Sequence, residues 1–544
     1  MRSNHELFAR LLFGAISVGL ASCGGAPAKA GDGCNIDDDN CPDALVCAAH
    51  EGNNVCQIPA GGACDPEAQV AYCLDGGVCE KTEDGAEATG VCVKHIPEGG
   101  KCDPANEYEK CDDGLTCAEM ASGGNKCFPP VLLEGMVFDS ATTEGIEGAH
   151  VIALDEVATA VTDIAVTGVG GTYSLEIPVP RDDAGAPVED RAFTLRSGAQ
   201  GYQTFPGGLR TALPISSAEA QAVEKTWVID TALTEIALIA LPEDQQGLAS
   251  ISGTVLAGDA SAGVLVIAEA GGKGISAISD KKGKYTIFNV PEGAYTVTGY
   301  AAGVQLTPEA ADVGAEDVTG VDLAESSEAL GSIAGKLEIV NPGDGDATSV
   351  VLVVESTFSD TFVRGEVPRG LRTPLSGTPD VTGDFLIENV PAGKYVVLAG
   401  FENDNLVRDP DTNIAGTQIV HTEMASPGTD ILLDDSFKIT GALEVFAPGK
   451  EQPELVTLPL TLSWADDSSE DYYRVVVYDA YGNVAWEKND IPSVSGGGMV
   501  TVPYEGPLDK GMYYQFRATS WRTKPTGDSA ISATEDLRGV FYSE

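Results

Sequence analysis

The sequence predicts an all-β protein in which tandem antiparallel β-sandwich modules follow a set of small disulfide-rich repeats. Three observations support this prediction. All thirteen cysteines occur at or before Cys127. The chain after that point consists of short Val, Ile, Tyr and Thr runs separated by Gly, Pro, Asp and Asn, which is typical of sandwich domains. One block, NVPEGAYTV at 289–297, returns as NVPAGKYVV at 389–397, so at least one module is expected to be duplicated.

The N-terminus has the pattern of a signal peptide. Arg2 and Arg10 flank a polar head, and an apolar run follows from Leu11 to Leu20. A run of this length is too short to cross a hydrocarbon core of about 30 Å as a helix, but it suits the core of a signal peptide.

The apolar run ends in Leu-Ala-Ser-Cys at 20–23, which resembles the bacterial lipobox. The resemblance implies a lipoprotein signal peptide over 1–22, a lipid on Cys23, and a tether over 23–33. An ordinary secretory peptide is the alternative. Two glycines and no aspartate follow the cysteine, and in Gram-negative lipoproteins this implies the outer membrane. No later stretch of eighteen residues is apolar without a charge, so we expect the lipid to be the membrane anchor. No cofactor is expected.

The other twelve cysteines form three quartets within 34–128, and their even number indicates disulfides made in an oxidising compartment. The second and third cysteines of each quartet are always separated by five residues, and two units open with Gly-Gly-x-Cys-Asp-Pro. Zinc is the alternative, but this spacing is unusual for zinc and no histidine recurs in register. Each quartet allows three pairings, which the sequence leaves open. The quartets are Cys34, Cys41, Cys47, Cys56; Cys64, Cys73, Cys79, Cys92; and Cys102, Cys111, Cys117, Cys127.

The charge of the chain disfavours nucleic acid as a partner. There are 32 basic and 83 acidic residues, which gives a net charge of −51, whereas nucleic-acid binding needs basic patches. The acidic residues are expected to keep a β-rich exported chain soluble. The segment Asp409–Asn413 has alternating oxygen ligands, but it lacks the glycine and the distal glutamate of an EF-hand loop, so no metal site is predicted.

Three segments share one pattern: 131–242, 249–326 and 330–446. Each has an opening strand with glycine (LEGMVFD, ISGTVLAGD, IAGKLEI), and the later two carry G-x-Y/F-x-I-x-N-V-P-x-G-x-Y-x-V. These residues resemble carboxypeptidase regulatory-like domains, which are transthyretin-like sandwiches of the carbohydrate-binding-like fold. The resemblance implies the fold but little about function, since such modules accompany enzymes, receptors and adhesins alike.

The repeated block predicts a hairpin whose residues serve the fold rather than catalysis. Tyr285 and Ile287 should face the core, and Tyr295 and Val297 should resume the alternation on the returning strand. Phe385, Ile387, Tyr395 and Val397 repeat this choice. We expect Pro291 and Pro391 to set the turn, Gly293 and Gly393 to take positive φ at its exit, and Asn289 and Asn389 to close it through their side chains.

The third copy carries about 18 extra residues between its opening strand and the block, within Ser356–Asp380. Arg364, Arg369 and Arg372 lie here in an otherwise acidic protein. A variable loop on a sandwich is a place where binding is expected, so these arginines are the candidate binding residues. The alternative is a solvated insertion without a ligand.

The last segment, 456–544, resembles a fibronectin type III domain. Trp464 would be the buried tryptophan of an early strand, and Tyr473, Val475 and Val477 would point inward from the next strand. Tyr514 lies six residues after Leu508, where that family has its tyrosine corner. Gly511 departs from the usual threonine.

No catalytic motif is present, so the chain is not expected to be an enzyme. The five histidines are isolated, and no zinc-protease, nucleophile-elbow or phosphate-loop motif occurs. Only Lys336 lies on an opening strand where related adhesins form a Lys–Asn isopeptide bond, and no such bond is predicted.

The sequence is most consistent with a lipid-anchored modular protein of the outer membrane that binds a protein or glycan at the cell surface. A periplasm-facing accessory subunit of an envelope machine is the second hypothesis. Carbohydrate binding, by analogy with the fold, is the third.

Overall fold

The structure, a computed structural model, is all-β as predicted. It describes residues 29–36, 41–42, 44–68, 72–81, 90–188, 191–339, 347–376, 379–399, 406–407, 420–434, 437–467, 469–494, 497–535 and 538–544. These residues contain no α-helix, and none of their helices is long and apolar enough to cross a membrane. The expectations for the signal peptide, Cys23 and Asp409–Asn413 lie outside the described residues.

The chain forms two compact units. The first is Met1–Cys117 with Gly123–Phe128, and the second is Ala118–Ser122 with Pro129–Glu544. The strands of the cysteine-rich region are Val46–His50, Asn53–Gln57, Ala63–Cys64, Val78–Lys81, Gly90–Ile96, Glu109–Cys111, Thr116–Glu119 and Asn125–Phe128, with a 3-10 turn at Leu74–Gly76.

The twelve cysteines form six disulfides, and every quartet has the same connectivity. The first cysteine pairs with the third and the second with the fourth: Cys34–Cys47, Cys41–Cys56, Cys64–Cys79, Cys73–Cys92, Cys102–Cys117 and Cys111–Cys127. Cys47 and Cys56 stand opposite each other on a hairpin but are not bonded to each other. Each instead bonds to a cysteine of the preceding loop, so the two disulfides of a unit lie side by side.

The second unit contains four sandwiches, each built from two sheets. In the first sandwich, one sheet has the strand order Ala165–Val166, His150–Leu154, Ala192–Gly198, Ile215–Ser216. The other sheet has the order Thr172–Ile177, Val131–Asp139, Thr226–Ile229, Gln221–Val223, and Ile236–Leu238 also pairs with Val131–Asp139. In the second sandwich, the two orders are Lys284–Val290, Ala249–Leu256, Leu323–Ala324 and Lys273–Ile278, Leu265–Ala270, Gly293–Tyr300, Glu309–Val313.

The third and fourth sandwiches complete the unit. In the third sandwich, one sheet has the strand order Asp384–Val390, Gly331–Ile339, Phe437–Gly441, Leu406–Val407, and Asp430–Leu432 also pairs with Gly331–Ile339. The other sheet has the order Arg372–Thr373, Val350–Val354, Gly393–Ala399, Val420–Met424. In the fourth sandwich, one sheet has the strand order Val445–Ala447, Leu460–Ala465, Met499–Tyr504. The other sheet has the order Glu454–Leu455, Val540–Tyr542, Tyr513–Arg522, Tyr472–Asp479, Val484–Pro492, and Ser529–Ala533 also pairs with Tyr513–Arg522. Short 3-10 turns lie at Ser217–Glu219, Glu243–Gln245, Gly258–Ser261 and Glu355–Thr357.

The first three sandwiches share one topology. The opening strand of each, Val131–Asp139, Ala249–Leu256 and Gly331–Ile339, is antiparallel to one neighbour and parallel to a strand from the end of the same module. This agreement in strand pairing, together with the repeated sequence block, indicates three copies of one module.

The repeated block forms the predicted hairpin, but the residue with positive φ is the asparagine and not the glycine. Asn289 and Asn389 both have φ of 59°, whereas Gly293 and Gly393 remain outside the left-handed region. Both asparagines lie where the register to the opening strand shifts, so each forms a β-bulge. Gly393 is required for a different reason: a Cβ there would lie 2.7 Å from the ring of Tyr300 in the preceding sandwich.

Asn289 does not close its own turn but binds the preceding sandwich. Its Nδ2 donates to the carbonyl oxygens of Ala199 and Tyr202, each at 3.0 Å, and its Oδ1 accepts from Gly201 N at 2.6 Å. The third copy repeats the contact through its main chain, because Gly303 N of the second sandwich donates to the carbonyl of Asn389 at 2.9 Å. The repeated block therefore joins successive modules.

Replacing Asn289 by alanine is expected to destabilise the protein by about 3 kcal/mol, because three hydrogen bonds are lost. In addition, alanine tolerates a positive φ less well than asparagine does. Asn289→Gly should cost less, since glycine accepts this φ while losing the same bonds. Chemical unfolding followed by tryptophan emission measures both values. Equal stability of both variants and the wild type would contradict this role.

The segment Ser216–Trp227 is the best helical candidate in the sequence, but it forms no α-helix. Gln221–Val223 and Thr226–Ile229 form an antiparallel hairpin, with Glu224 at φ of 53° in its turn. Thr226–Ile229 then pairs in parallel with the opening strand Val131–Asp139. Pairing with a core strand outweighs the weak helical preference of the local sequence.

Strands at the seams between sandwiches are buried on both faces. In Leu265–Ala270, Val266 and Ala268 belong to the core of the second sandwich, whereas Leu265 and Ile267 pack into the core cluster of the third. The ring of Tyr300 in the second sandwich meets Tyr395 of the third edge to face, with centroids 6.1 Å apart. Adjacent modules of the second unit therefore share packed interfaces and are not separated by linkers.

The fourth sandwich has the core that its sequence predicts. Trp464, Tyr473, Val475 and Val477 are all fully buried. The hydroxyl of Tyr514 accepts a hydrogen bond from the main-chain N–H five residues earlier, at 3.1 Å, which is the geometry of a tyrosine corner.

Gly511, the residue that departs from the fibronectin pattern, is required by the first sandwich. Its φ is +72°, and a Cβ there would lie 2.4 Å from the main chain of Ser140 and Ala141. A threonine at this position would separate the fourth sandwich from the first.

His150 lies at the seam between the first and second sandwiches. Its ring packs edge to face on Phe288 with centroids 4.8 Å apart, and its Nδ1 is buried without a hydrogen-bond partner among the described residues. Burial lowers the pKa of His150, and the charge of Asp280 acts in the opposite direction but is weaker. Asp163 lies on the same seam.

Because the folded protein binds this proton more weakly than the unfolded chain, the contribution of His150 to stability is expected to fall as the pH drops below about 6.5, the ordinary histidine pKa. The thermal midpoint of the wild type should therefore decline more steeply between about pH 7 and 5 than that of His150→Gln. His50→Gln, at a partly exposed position of the first unit, is the control. Parallel pH profiles for wild type and His150→Gln would refute the assignment.

Candidate functional site

The insertion of the third copy folds against the other three sandwiches, and we call residues 355–373 the clasp. It starts with a 3-10 turn at Glu355–Thr357 that leaves the strand Val350–Val354. It narrows where Ser359 N donates to the carbonyl of Arg364 at 2.9 Å, and it returns to the sheet as Arg372–Thr373. The expectation of a solvated insertion is therefore wrong for this part.

Glu366 of the clasp joins the first and second sandwiches. Arg196 of the first sandwich donates to both carboxylate oxygens of Glu366, at 3.0 and 2.8 Å, and the hydroxyl of Ser276 in the second sandwich donates at 2.9 Å. The Arg196 side chain is 7% exposed and that of Glu366 27%. Burial alone would raise the pKa of Glu366, but the charge and hydrogen bonds of Arg196 and the Ser276 hydroxyl lower it below its usual value.

Three further hydrogen bonds join the clasp to the second sandwich. Arg369 Nη2 donates to the carbonyl of Ala260 at 3.2 Å, and Ala302 N donates to the carbonyl of Arg369 at 2.8 Å. The hydroxyl of Ser356 donates to the carboxylate of Glu269. Burial lowers the pKa of the Arg369 guanidinium. Arg369 is therefore a structural residue of the seam.

Phe362 of the clasp reaches the first and fourth sandwiches. It packs with a buried cluster formed by Leu209, Ile239 and Ala480. A Cβ on Gly482 of the fourth sandwich would lie 3.5 Å from its ring, which is ordinary contact. The clasp thus contacts all three other modules of the second unit.

An arginine-lined cleft of about 340 Å³ lies between the clasp and the segment 206–211 of the first sandwich. Its walls include three arginines: Arg210 from the first sandwich, and Arg364 and Arg372 from the clasp. Glu366 also lines it, but its charge is already compensated by Arg196. The cleft therefore brings three basic side chains together in a protein of net charge −51.

Arg210 is held rigidly at the base of the cleft. Its guanidinium lies 5.1 Å from the ring centroids of both Phe205 and Tyr513, and it donates to the carbonyl of Ala237. Its Nε and Nη2 make no hydrogen bond of standard geometry with the described residues. Burial lowers the pKa of Arg210, although the hydroxyl of Tyr513 acts in the opposite direction. The two rings and the Ala237 carbonyl therefore hold this buried guanidinium in place.

The structure divides the three arginines that the sequence singled out. Arg364 and Arg372 line the cleft and also make contacts within the protein, whereas Arg369 faces the second sandwich. Sequence reasoning missed Arg210, because it lies 146 residues before Ser356, where the insertion starts, and only the fold brings it there. The sequence offered one signal for Arg210, which is that basic residues are few in so acidic a chain.

Two alternatives from the sequence can be placed as well. Zinc binding was the alternative to disulfides for the cysteine quartets. These cysteines are paired as disulfides, so their sulfur atoms are not thiolates that could bind a metal. Lys336, the candidate for an isopeptide bond, is exposed on its strand opposite Asp384.

No protein family profile and no curated protein matches the chain. Among solved structures, the Bacillus anthracis TIE protein aligns over 81% of this chain and 76% of its own, at 12% identity and a TM-score of 0.15. The shaft pilin SpaA of Lactobacillus rhamnosus GG aligns over 36% and 97%, at 11% identity and a TM-score of 0.15. The minor pilin GBS52 of Streptococcus agalactiae aligns over 37% and 99%, at 14% identity and a TM-score of 0.16. At these TM-scores the alignments carry no weight for function, which must rest on the site itself.

Proposed function

We propose that this chain is a non-catalytic, lipid-anchored protein of the cell envelope whose packed sandwiches bind a ligand at the bacterial surface. The observation that carries the proposal is the arginine-lined cleft, which the first and third sandwiches build together. A pocket of several hundred Å³ with a few convergent charged groups is the usual form of a ligand site.

The chemistry of the cleft favours binding over catalysis. Its carboxylate, Glu366, is held by two hydrogen bonds from Arg196 and one from Ser276, so it is a poor general base. The arginines remain charged at all physiological pH values and supply neither a nucleophile nor a proton acceptor.

Export is supported by the six disulfides, which persist in oxidising compartments outside the cytoplasm. The lipobox-like sequence ending at Cys23 supports a lipid anchor in the outer membrane of a Gram-negative cell. On the same grounds we propose that the first three sandwiches are carboxypeptidase regulatory-like modules and the fourth a fibronectin type III module.

Protease shaving of intact cells tests the placement. We expect trypsin to remove epitopes of the sandwiches from intact cells, and Cys23→Ser to release the chain from the membrane fraction. Complete protection of the sandwiches on intact cells, with cleavage after the outer membrane is permeabilised, would favour the periplasm-facing alternative and refute surface exposure.

A further inference from the structure

We propose that the seam between the first and second sandwiches is sensitive to acid and opens when His150 takes up a proton. Such an opening is separate from the proposed ligand binding. It is also local, whereas the expected decline of the thermal midpoint is a property of the whole second unit.

A small cavity at this seam leaves two polar groups without partners. Its volume is about 40 Å³, and its lining includes His150 and Ser197 from the first sandwich and Phe288 from the second. Nδ1 of His150 and Oγ of Ser197 are buried and have no hydrogen-bond partner among the described residues. A polar cavity of this size has room for water, which would satisfy Nδ1 of the neutral ring and carry a proton to it.

The walls of the cavity do not compensate a positive charge on the ring. None of the described residues that line it has a carboxylate, and Arg196 is a cation there. The charge of Asp280 favours the protonated ring, but its carboxylate already accepts hydrogen bonds from three main-chain N–H groups. These donors are Ile164 at 3.2 Å, Lys282 at 2.9 Å and Lys284 at 2.8 Å.

The other charged groups around His150 are largely occupied. His150 also lines a larger cleft of about 540 Å³, whose charged residues are Asp163, Asp280, Asp322, Lys282 and Lys284. Asp163 and Lys282 form an ion pair at 2.6 Å, and Asp322 accepts from the main-chain N–H of Thr254 at 2.8 Å. A protonated His150 therefore has no carboxylate reserved for it at the closed seam.

Protonation consequently favours an open seam. Burial lowers the pKa of His150 more strongly than the charge of Asp280 raises it. In an open seam the ring is solvated and regains the ordinary histidine pKa of about 6.5. Closure of the seam is thus most stable above about pH 6.5, and its stability falls as the pH drops below that value.

The opening is expected to be local, because the clasp still joins the two sandwiches. Arg196 and Ser276 hold Glu366 and lower its pKa below the usual value, so this contact persists at pH 5. The sandwiches therefore part around His150 and do not separate.

Main-chain N–H groups that donate across the seams can report the opening. We call those between the first and second sandwiches the seam reporters, and those between the second and third sandwiches the control reporters. The seam reporters are Ile164, bonded to Asp280 Oδ2 at 3.2 Å, Lys281, bonded to the carbonyl of Thr162 at 3.0 Å, and Gly201, bonded to Asn289 Oδ1 at 2.6 Å. The control reporters are Gly303, bonded to the carbonyl of Asn389 at 2.9 Å, and Ala302, bonded to the carbonyl of Arg369 at 2.8 Å.

Hydrogen exchange of the full-length chain in detergent at pH 7 and pH 5, resolved to single amides, tests the proposal. After correction for intrinsic rates, we expect the seam reporters to lose up to about twentyfold more protection than the control reporters, because one proton is taken up on opening. His150→Gln should abolish this difference. His50→Gln, which removes a histidine from the first unit, should keep it.

His150→Phe is a second variant, because it keeps an aromatic ring against Phe288 but cannot be protonated. The thermal midpoint at pH 7 shows whether each variant folds, and the comparison of the two sets of reporters within the wild type needs no variant. The proposal is overturned if both sets lose protection equally in the wild type, or if His150→Gln retains the wild-type loss. Equal effects of His50→Gln and His150→Gln would also overturn it.

Discussion

Replacing Glu366 by alanine is expected to lower the free energy of unfolding of the second unit by about 3 kcal/mol. The substitution removes the carboxylate that joins three sandwiches and leaves the Arg196 guanidinium, 7% exposed, without its counter-charge. An uncompensated buried charge costs more than the pair contributes, because the desolvation of the remaining ion is no longer offset. Denaturant unfolding followed by tryptophan emission measures this loss.

The paired replacement Arg196→Met with Glu366→Leu is the control for this prediction. It removes both charges and keeps apolar volume, so much of the lost stability should return. Glu269→Gln, which alters another clasp contact but strands no buried arginine, should cost less than about 1 kcal/mol. If Glu366→Ala matches the wild type, Glu366 does not hold the modules together.

Removing the Cys41–Cys56 disulfide by serine substitution at both positions is expected to unfold the first cysteine-rich repeat. The cysteines are 15 residues apart, and a cross-link of that span stabilises a fold by about 3 kcal/mol through the entropy of the unfolded chain. A repeat of this size has too small a core to tolerate such a loss. Hydrogen exchange should show that the hairpin Val46–His50 and Asn53–Gln57 loses its protection.

The sandwiches provide an internal control for the disulfide experiment. All four tryptophans lie after residue 129, so tryptophan emission reports the second unit alone and should not change. The strand Gly90–Ile96 of the second repeat keeps its own disulfides and should stay protected. Persistent protection of the hairpin 46–57 in the serine variant would show that the repeat does not depend on its cross-links.

Much of the fold could be predicted because it depends on local patterns. The alternation in the repeated block placed Tyr285 and Ile287 in the core, and the cysteine spacing indicated three cross-linked repeats. The pairing of the cysteines could not be predicted, since it depends on which loop lies beside each hairpin. The hairpin at 221–229 could not be predicted from its local sequence, because the strand with which it pairs lies about ninety residues earlier.

The candidate site was predicted only in part, because it is made by contacts between modules. The insertion was found from the length difference between two copies, but its role as a clasp depends on Arg196 and Ser276 of other sandwiches. One signal was present in the sequence: Val264–Ala268 and Val350–Val354 are uninterrupted apolar runs. Strands with one face in water alternate, so such runs indicate burial on both faces.

The central claim is that the clasp makes the sandwiches of the second unit one cooperative body. Hydrogen exchange of the full-length chain in rising guanidinium chloride tests it most directly, with peptides that cover the seam strands His150–Leu154, Leu265–Ala270 and Val350–Val354. We expect the three strands to merge into one exchange isotherm, and to separate in Glu366→Ala. Three separate isotherms in the wild type would show that the sandwiches open one by one and would contradict the claim.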